Sequence, residues 1–287
     1  MRILVTGGSG FTGQRVLRQA RDEGHEVVAL VRSASAGRVA EGLGATPVAG
    51  DLDDPASLDV AFRVDADVLV NVASLGFGHA PAVVSAAEEA GIRRAVFVST
   101  TAITTTLPAS SKRVRLAAES AIRGSSLDWT IIRPTMIYGA AGDRNLARLI
   151  RLMRRTRVVV LPGGGHRLQQ PVHVEDLAAS ILAAATTDAA IGQTYDVAGP
   201  DPMSLRDLVL EVGSALGIRP VLITVPLRPT IAALKVYERL APRPRLKSEQ
   251  LERLAEDKAF SIADARRDLG YAPRSFSSGI GAEVASL

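Results

Sequence analysis

At 287 residues, with 47% hydrophobic and 22% charged side chains, the chain has ordinary globular usage and room for one large core plus a smaller appendage, which excludes disorder and a fibrous build. It contains no cysteine, so disulfides, thiolate nucleophiles and cysteine-ligated metals are excluded. The formal charge of +4 comes from scattered arginines and one cluster at Arg148, Arg151, Arg154, Arg155 and Arg157, which a helix spreads around its cylinder, so no nucleic-acid partner is expected.

The chain starts on an apolar run, Ile3 to Val5, without a signal-peptide pattern, and no segment approaches the roughly 18 uninterrupted apolar residues of a membrane span. Cytoplasmic residence is the expectation. Further short apolar runs follow at Val27 to Val31, Val48 to Ala49, Val68 to Val72, Ala95 to Val98 and Trp129 to Ile132. Several are continuous in β-branched residues, as strands buried on both faces should be. Helical patterns such as Gln14 to Asp22, Pro55 to Arg63 and Pro81 to Ala90 lie between them. Six βα units in series predict an α/β fold, a doubly wound parallel Rossmann sheet over residues 1–133. Beyond Pro134 the rhythm changes to a basic helix near 143–155, a PGGGH turn and mixed short elements, read as a smaller substrate-binding lobe over 134–287, part of which can pack back on the core. Residues 241–250 are expected to form an exposed connection, after which SEQLERLAEDKAF resumes helix.

The first strand runs into VTGGSGFTG, with glycines at 7, 8, 10 and 13, and then into a helix. Such a turn lets backbone approach a pyrophosphate, and the helix N-terminus offers free N–H groups and a positive dipole end. At the end of the second strand stands Arg32, with Arg38 nearby and no Asp or Glu from 27 to 40. An acid there would serve the ribose hydroxyls of NAD, whereas an arginine suits a 2′-phosphate, so NADP(H) is favoured over NAD(H). Asp51 and Leu52 end the third strand at the expected adenine edge; Asp53 and Asp54 are expected to cap a helix or be solvated.

Together TGGSGFTG, the strand-end Arg32, GDL at 50–52, NVASLG at 71–76, FVST at 97–100 and IIRPTMIYG at 131–139 resemble an atypical or extended short-chain dehydrogenase/reductase of the NAD(P)-dependent epimerase/dehydratase-like kind. QQPVHVEDLA, TYDVAGP and ARRDLGYAPRSFSSGI resemble the same superfamily's substrate lobe, and several stretches suggest NmrA-like proteins or the NADPH-binding subunit of respiratory complex I. The resemblance implies cofactor contacts at Gly7, Gly10, Phe11, Thr12, Gly13, Arg32, Asp51, Leu52, Val72, Ala73, Ser99, Arg115 and Pro134.

Redox members carry Tyr-x-x-x-Lys on the helix after the fifth strand, four residues before a Glu. Anchored on Glu119, those places fall on Ser111 and Arg115. The apolar stripe Val114, Ala117, Ala118, Ala121 and Ile122 would put Ser111 and Arg115 on one flank, toward the cleft, and Lys112 in solvent beside Glu119. A serine hydroxyl is a poor acid and arginine keeps its proton. Only nine residues separate Thr101 from Ser111, shorter than in extended members. The candidates for catalysis are therefore Thr101, at the family's catalytic Ser/Thr place, Ser111, Arg115 and Tyr138. His79, His173 and His166 are lesser candidates, and no residue set has metal-ligand spacing, so no metal is expected. The functions that follow are an oxidoreductase-like protein acting on a small carbonyl, enone or quinone-like substrate; a non-catalytic NADP(H) sensor or assembly subunit; or a lyase or isomerase on the same scaffold. A homo-oligomer or larger assembly is compatible with each.

Overall fold

The computed structural model describes residues 1–107, 110–139, 142–143, 145–241 and 248–287. The N-terminal half runs β1 (Arg2–Thr6), α1 (Phe11–Asp22), β2 (Glu26–Val31), α2 (Ala34–Gly42), β3 (Thr46–Ala49), α3 (Pro55–Ala61), β4 (Val68–Asn71), α4 (Ala80–Glu89), β5 (Arg94–Val98), α5 (Ser110–Arg123) and β6 (Asp128–Pro134). It continues through β7 (Ile137–Tyr138), α6 (Leu146–Thr156), β8 (Val158–Pro162), β9 (Leu168–Gln169), β10 (Val172–His173), α7 (Val174–Thr186) and β11 (Gln193–Val197). The chain ends with β12 (Met203–Ser204), α8 (Leu205–Ala215), β13 (Val221–Val225), α9 (Leu227–Leu240), α10 (Ser248–Leu254), α11 (Ala263–Leu269) and α12 (Phe276–Ser286).

The central sheet has seven strands in the order β11-β6-β5-β4-β1-β2-β3, all parallel. The six expected strands are present, and a seventh comes from the TYDVAGP stretch of the second half, which packs back on the core as β11 against β6. Its sequence alternates, with Tyr195 and Val197 buried and Gln193 exposed, as suits an edge strand rather than the continuous apolar run of a central one. The order reverses between β1 and β4, so a crevice opens at the carboxyl ends of these two strands.

One apolar core packs α1 and α7 on one sheet face, and a second packs α3, α4 and α5 on the other. A third, built from Tyr138, Ile150, Val159, Leu208 and Ile280 among others, joins α6, β8, α8 and α12 beside the crevice. Among the described residues no helix is long and apolar enough to cross a membrane. The expected connection at 241–250 lies outside the described residues from 242 to 247. The helix expected across SEQLERLAEDKAF stops at Leu254, since the following segment is tied elsewhere: Glu256 accepts hydrogen bonds from Thr105 and Thr106, and the Lys258 amide donates to the Leu168 carbonyl.

Candidate functional site

The phosphate loop is shaped by backbone proximity. Gly7 has φ +70°, and a Cβ there would stand 2.7 Å from the Ala73 amide nitrogen. A Cβ on Gly13 would overlap the Gly7 carbonyl oxygen, so α1 can start against the loop only with glycine at that place. The N-cap is Gly10, and no side chain caps the first turn of α1, whose amides have no intrahelical acceptors. That turn faces a cavity of about 480 Å³ lined by Gly7, Gly10, Phe11, Thr12, Gly13, Val72, Ser99, Thr100, Arg115 and Pro134, among others. A glycine cradle under an uncapped helix N-terminus fits a dinucleotide pyrophosphate.

A second recess of about 770 Å³ lies over the ends of β2 and β3, where Arg32, Ser33, Arg38 and Asp51 meet on its wall. Both arginines are exposed. The Asp51 carboxylate accepts from the Asp53 amide at 3.1 Å, while the Asp51 amide donates to Ser57 Oγ at 2.9 Å. Leu52 packs against the core instead of the recess.

A third cavity, about 1270 Å³, adjoins the first: Gly10, Phe11, Thr100, Thr135 and Ile137 line both. Its floor is threonine-rich, with Thr101, Thr104, Thr105 and Thr106, and its far wall is the 253–258 segment. Arg15 lies over the Phe11 ring at 4.8 Å, and burial pulls its guanidinium below the usual arginine range.

Of the four residues considered for catalysis, two line the adjoining cavities, one in each. Thr101 is 7% exposed, lines the large cavity and donates its hydroxyl to the Pro134 carbonyl at 3.2 Å. Arg115 lines the smaller one, lying so close to Gly76 that a Cβ there would stand 3.0 Å from Nη2. Burial, and then the charge of Arg253, lower its pKa. Ser111 is half-buried and lines none of the three cavities. Tyr138 is 1% exposed and also lines none of them; its ring meets His173 edge-on at 5.2 Å and Phe276 at 5.1 Å. Burial drives its phenol pKa far above the ordinary tyrosine value.

Helix α5 is rotated from the expected stripe. Ala118, Glu119 and Ile122 are buried, whereas Val114 and Leu116 are exposed at 37% and 45%. Residues 111, 115, 118, 119 and 122 form the inward face, an i, i+4, i+7 pattern that runs through a carboxylate. Glu119 can occupy it because every lone pair is used: Ser99 Oγ donates at 2.6 Å, Arg133 at 3.0 and 2.5 Å, and Arg123 at 3.2 Å. Burial pushes its pKa up, but these donors outweigh it and hold the carboxyl below the usual range. Lys112, expected in solvent, is half-buried and donates to the Thr105 carbonyl. Local pattern offered no sign that Glu119 would be a buried hub, since Ser99 and Arg133 lie 20 and 14 residues away in sequence.

The histidines stay outside the cavities. His79 sits at the α4 N-cap, 3.7 Å from an Asp53 oxygen. His173 caps α7 by accepting from the Glu175 amide at 3.3 Å through Nδ1, and burial lowers its pKa. His166 is exposed.

A parallel sheet with a glycine cradle at its switch point defines a dinucleotide-binding protein of Rossmann build. A family model described as NAD(P)H-binding matches residues 7–188, and the chain belongs to that family, among the atypical short-chain dehydrogenase/reductases. It is 28% identical to the 2-alkyl-3-oxoalkanoate reductase of Stenotrophomonas maltophilia, across 96% of this chain and 95% of the relative. It is 35% identical to a mitochondrial NADH dehydrogenase [ubiquinone] 1 alpha subcomplex subunit 9 of Arabidopsis thaliana, over 43% of this chain and 31% of that protein. The fold matches UDP-glucose 4-epimerase of Thermotoga maritima at a TM-score of 0.77 and 16% identity, covering 100% of this chain and 98% of that one.

Proposed function

We propose that this protein is an NADPH-dependent reductase of small carbonyl, enone or quinone-like compounds. The observation that carries the reading is that the dinucleotide cavity and the 1270 Å³ cleft adjoin, sharing Gly10, Phe11, Thr100, Thr135 and Ile137 in their linings, which sets a ligand in the first beside one in the second. A bound NADPH supplies hydride. The chain's own part is to seat the pyrophosphate on α1, to grip a 2′-phosphate with Arg32 and Arg38, and to hydrogen-bond the nicotinamide end through Arg115 and Ser99. Thr101, whose hydroxyl donates to the Pro134 carbonyl, turns that donor to the substrate oxygen. Without a phenol in the cleft, the proton reaches the substrate oxygen through a hydroxyl or water. Reductase activity in a relative of matching length supports the reading.

The test is NADPH oxidation by the full chain over a panel of ketones, enones and quinones. Turnover that disappears in the Thr101→Val variant is expected; no consumption above background would overturn the proposal. The position of Ser111 outside the cavities favours a second reading, a non-catalytic NADP(H) sensor or assembly subunit. Tight NADPH binding without turnover, with a co-purifying protein, would establish it.

A further inference from the structure

Three cations converge on the cleft. Arg115 borders the dinucleotide cavity, Arg253 and Lys258 border the large one, and both Arg115 and Lys258 are destabilised as cations by the charge of Arg253. Arg167, Asp257, Glu256 and Asp143 on the same wall are engaged with neighbours. Arg167 donates to Asp257 at 2.9 Å, and the second oxygen of Asp257 accepts the Leu168 amide at 2.9 Å. Glu256 accepts from the hydroxyls of Thr105 and Thr106 and from the Thr106 amide at 2.5, 2.6 and 2.8 Å. Asp143 accepts the amides of Asn145, Leu146 and Ala147 at the start of α6.

Lys258 differs from them. It is half-buried on the cavity wall, and its ammonium makes no hydrogen bond or ion pair among the described residues. Burial is the main influence lowering its pKa, with Glu256 opposing and Arg253 adding to the effect. An ammonium with open donors, partly withdrawn from solvent and next to a second cation, is favoured when an anion enters. The backbone around it is fixed, since the Lys258 amide donates to Leu168 and the Phe260 amide donates to Gln170 Oε1 at 2.8 Å.

We infer that Lys258 anchors an anionic group of the substrate, so that the cleft takes a carbonyl compound bearing a carboxylate, with the ammonium on the carboxylate and the Thr101 end on the carbonyl. This rests on the reductase reading for the carbonyl but not for the anion. Lys258 is a positioning residue here: it fixes the acid end and takes no part in the proton or hydride step.

Calorimetry separates the two. The probes are 3-hydroxyoctanoate and its methyl ester, titrated into the full chain with and without NADP⁺. The wild type is expected to bind the acid at least tenfold more tightly than the ester, Lys258→Met to lose that preference while binding the ester unchanged, and Lys258→Arg to retain most of it. If the wild type shows no preference for the acid, or binds neither probe, or if Lys258→Met keeps the preference, the inference is overturned. A Lys258→Met variant that weakens NADP⁺ itself tenfold and leaves the acid preference intact also overturns it, by assigning the lysine to the cofactor. Absence of carbonyl turnover alongside a Lys258-dependent acid preference would remove the reductase reading and leave the anion site standing.

Discussion

Arg133 grips both oxygens of the buried Glu119 carboxylate, Nε to Oε1 at 3.0 Å and Nη2 to Oε2 at 2.5 Å, and so ties α5 to the end of β6 where the cleft begins. Ser99, at the end of β5, donates to the same carboxylate at 2.6 Å. Removing one partner of such a pair leaves the other charge buried and uncompensated, so Glu119→Ala is expected to destabilise the fold by about 3–5 kcal/mol. The carboxyl pKa is below its unfolded value, so the pair's contribution is complete above the unfolded carboxylate range and is lost as pH falls through the folded pKa. Denaturant unfolding of wild type and variant at pH 7 and again well below the unfolded carboxylate range, at about pH 2.5, checks both points; a gap between them that does not narrow in acid would refute the assignment.

Glu119 also marks what the sequence made legible and what it did not. The sheet, the glycine cradle and the Arg32 edge all come from local signals, namely apolar runs, glycine spacing and one strand-end charge, and each lies where a βα repeat puts it. The face of α5 was misread because an apolar stripe outweighs a lone Glu in any local pattern. Glu119 is made burial-competent by Ser99 and Arg133, which reach it across 20 and 14 residues from neighbouring strands. The 253–258 wall was invisible for the same reason, since Glu256 meets Thr105 across a separation of 151 residues. Strand β11 does not stand out among the apolar runs because an edge strand alternates, with Tyr195 and Val197 buried and Gln193 exposed.

Arg32 and Arg38 share the wall of one recess with Ser33, whose Oγ accepts the Ala36 amide at 3.2 Å and caps α2. An anion there would meet two exposed guanidinium groups and a helix start. Arg32→Ala should weaken NADPH binding about tenfold or more and leave NADH within about twofold, since a charge-assisted hydrogen bond is worth about 1.5–3 kcal/mol. Calorimetric titration of both nucleotides reads the difference; equal losses would remove the 2′-phosphate from this recess.

Gly13 is the position where the loop tolerates least. A Cβ would run into the Gly7 carbonyl and come within 2.7 Å of the Gly8 Cα, both backbone atoms that cannot swing away. Gly13→Ala is expected to push α1 off the loop and to cost at least tenfold in NADPH affinity, together with about 1–3 kcal/mol of stability from overpacking. Gly24→Ala supplies the control: a Cβ there meets nothing within 4 Å, so its cost should come from its φ of +82° alone and leave affinity unchanged. Loss of affinity in both variants would point to general unfolding instead of the cradle.

Glu283 sets a different pH dependence from Glu119. Its side chain is 0% exposed on α12, Oε2 accepts the Gly139 amide at 3.0 Å, and Asp143 stands beside it. Burial, followed by the Asp143 charge, pushes its pKa up to about 8. The unfolded value is about 4.3, so between there and about 8 the folded chain holds a proton that the unfolded chain has released, and stability falls as pH rises through that window. The slope is expected to total a few kcal/mol and to flatten above the folded pKa. Glu283→Gln keeps the size without the titration. It should match the wild type near pH 5, lose the slope, and be the more stable of the two at pH 8.5. Guanidinium unfolding across pH 5 to 9 measures this, and a wild-type slope that survives intact in the variant would show that another group carries it.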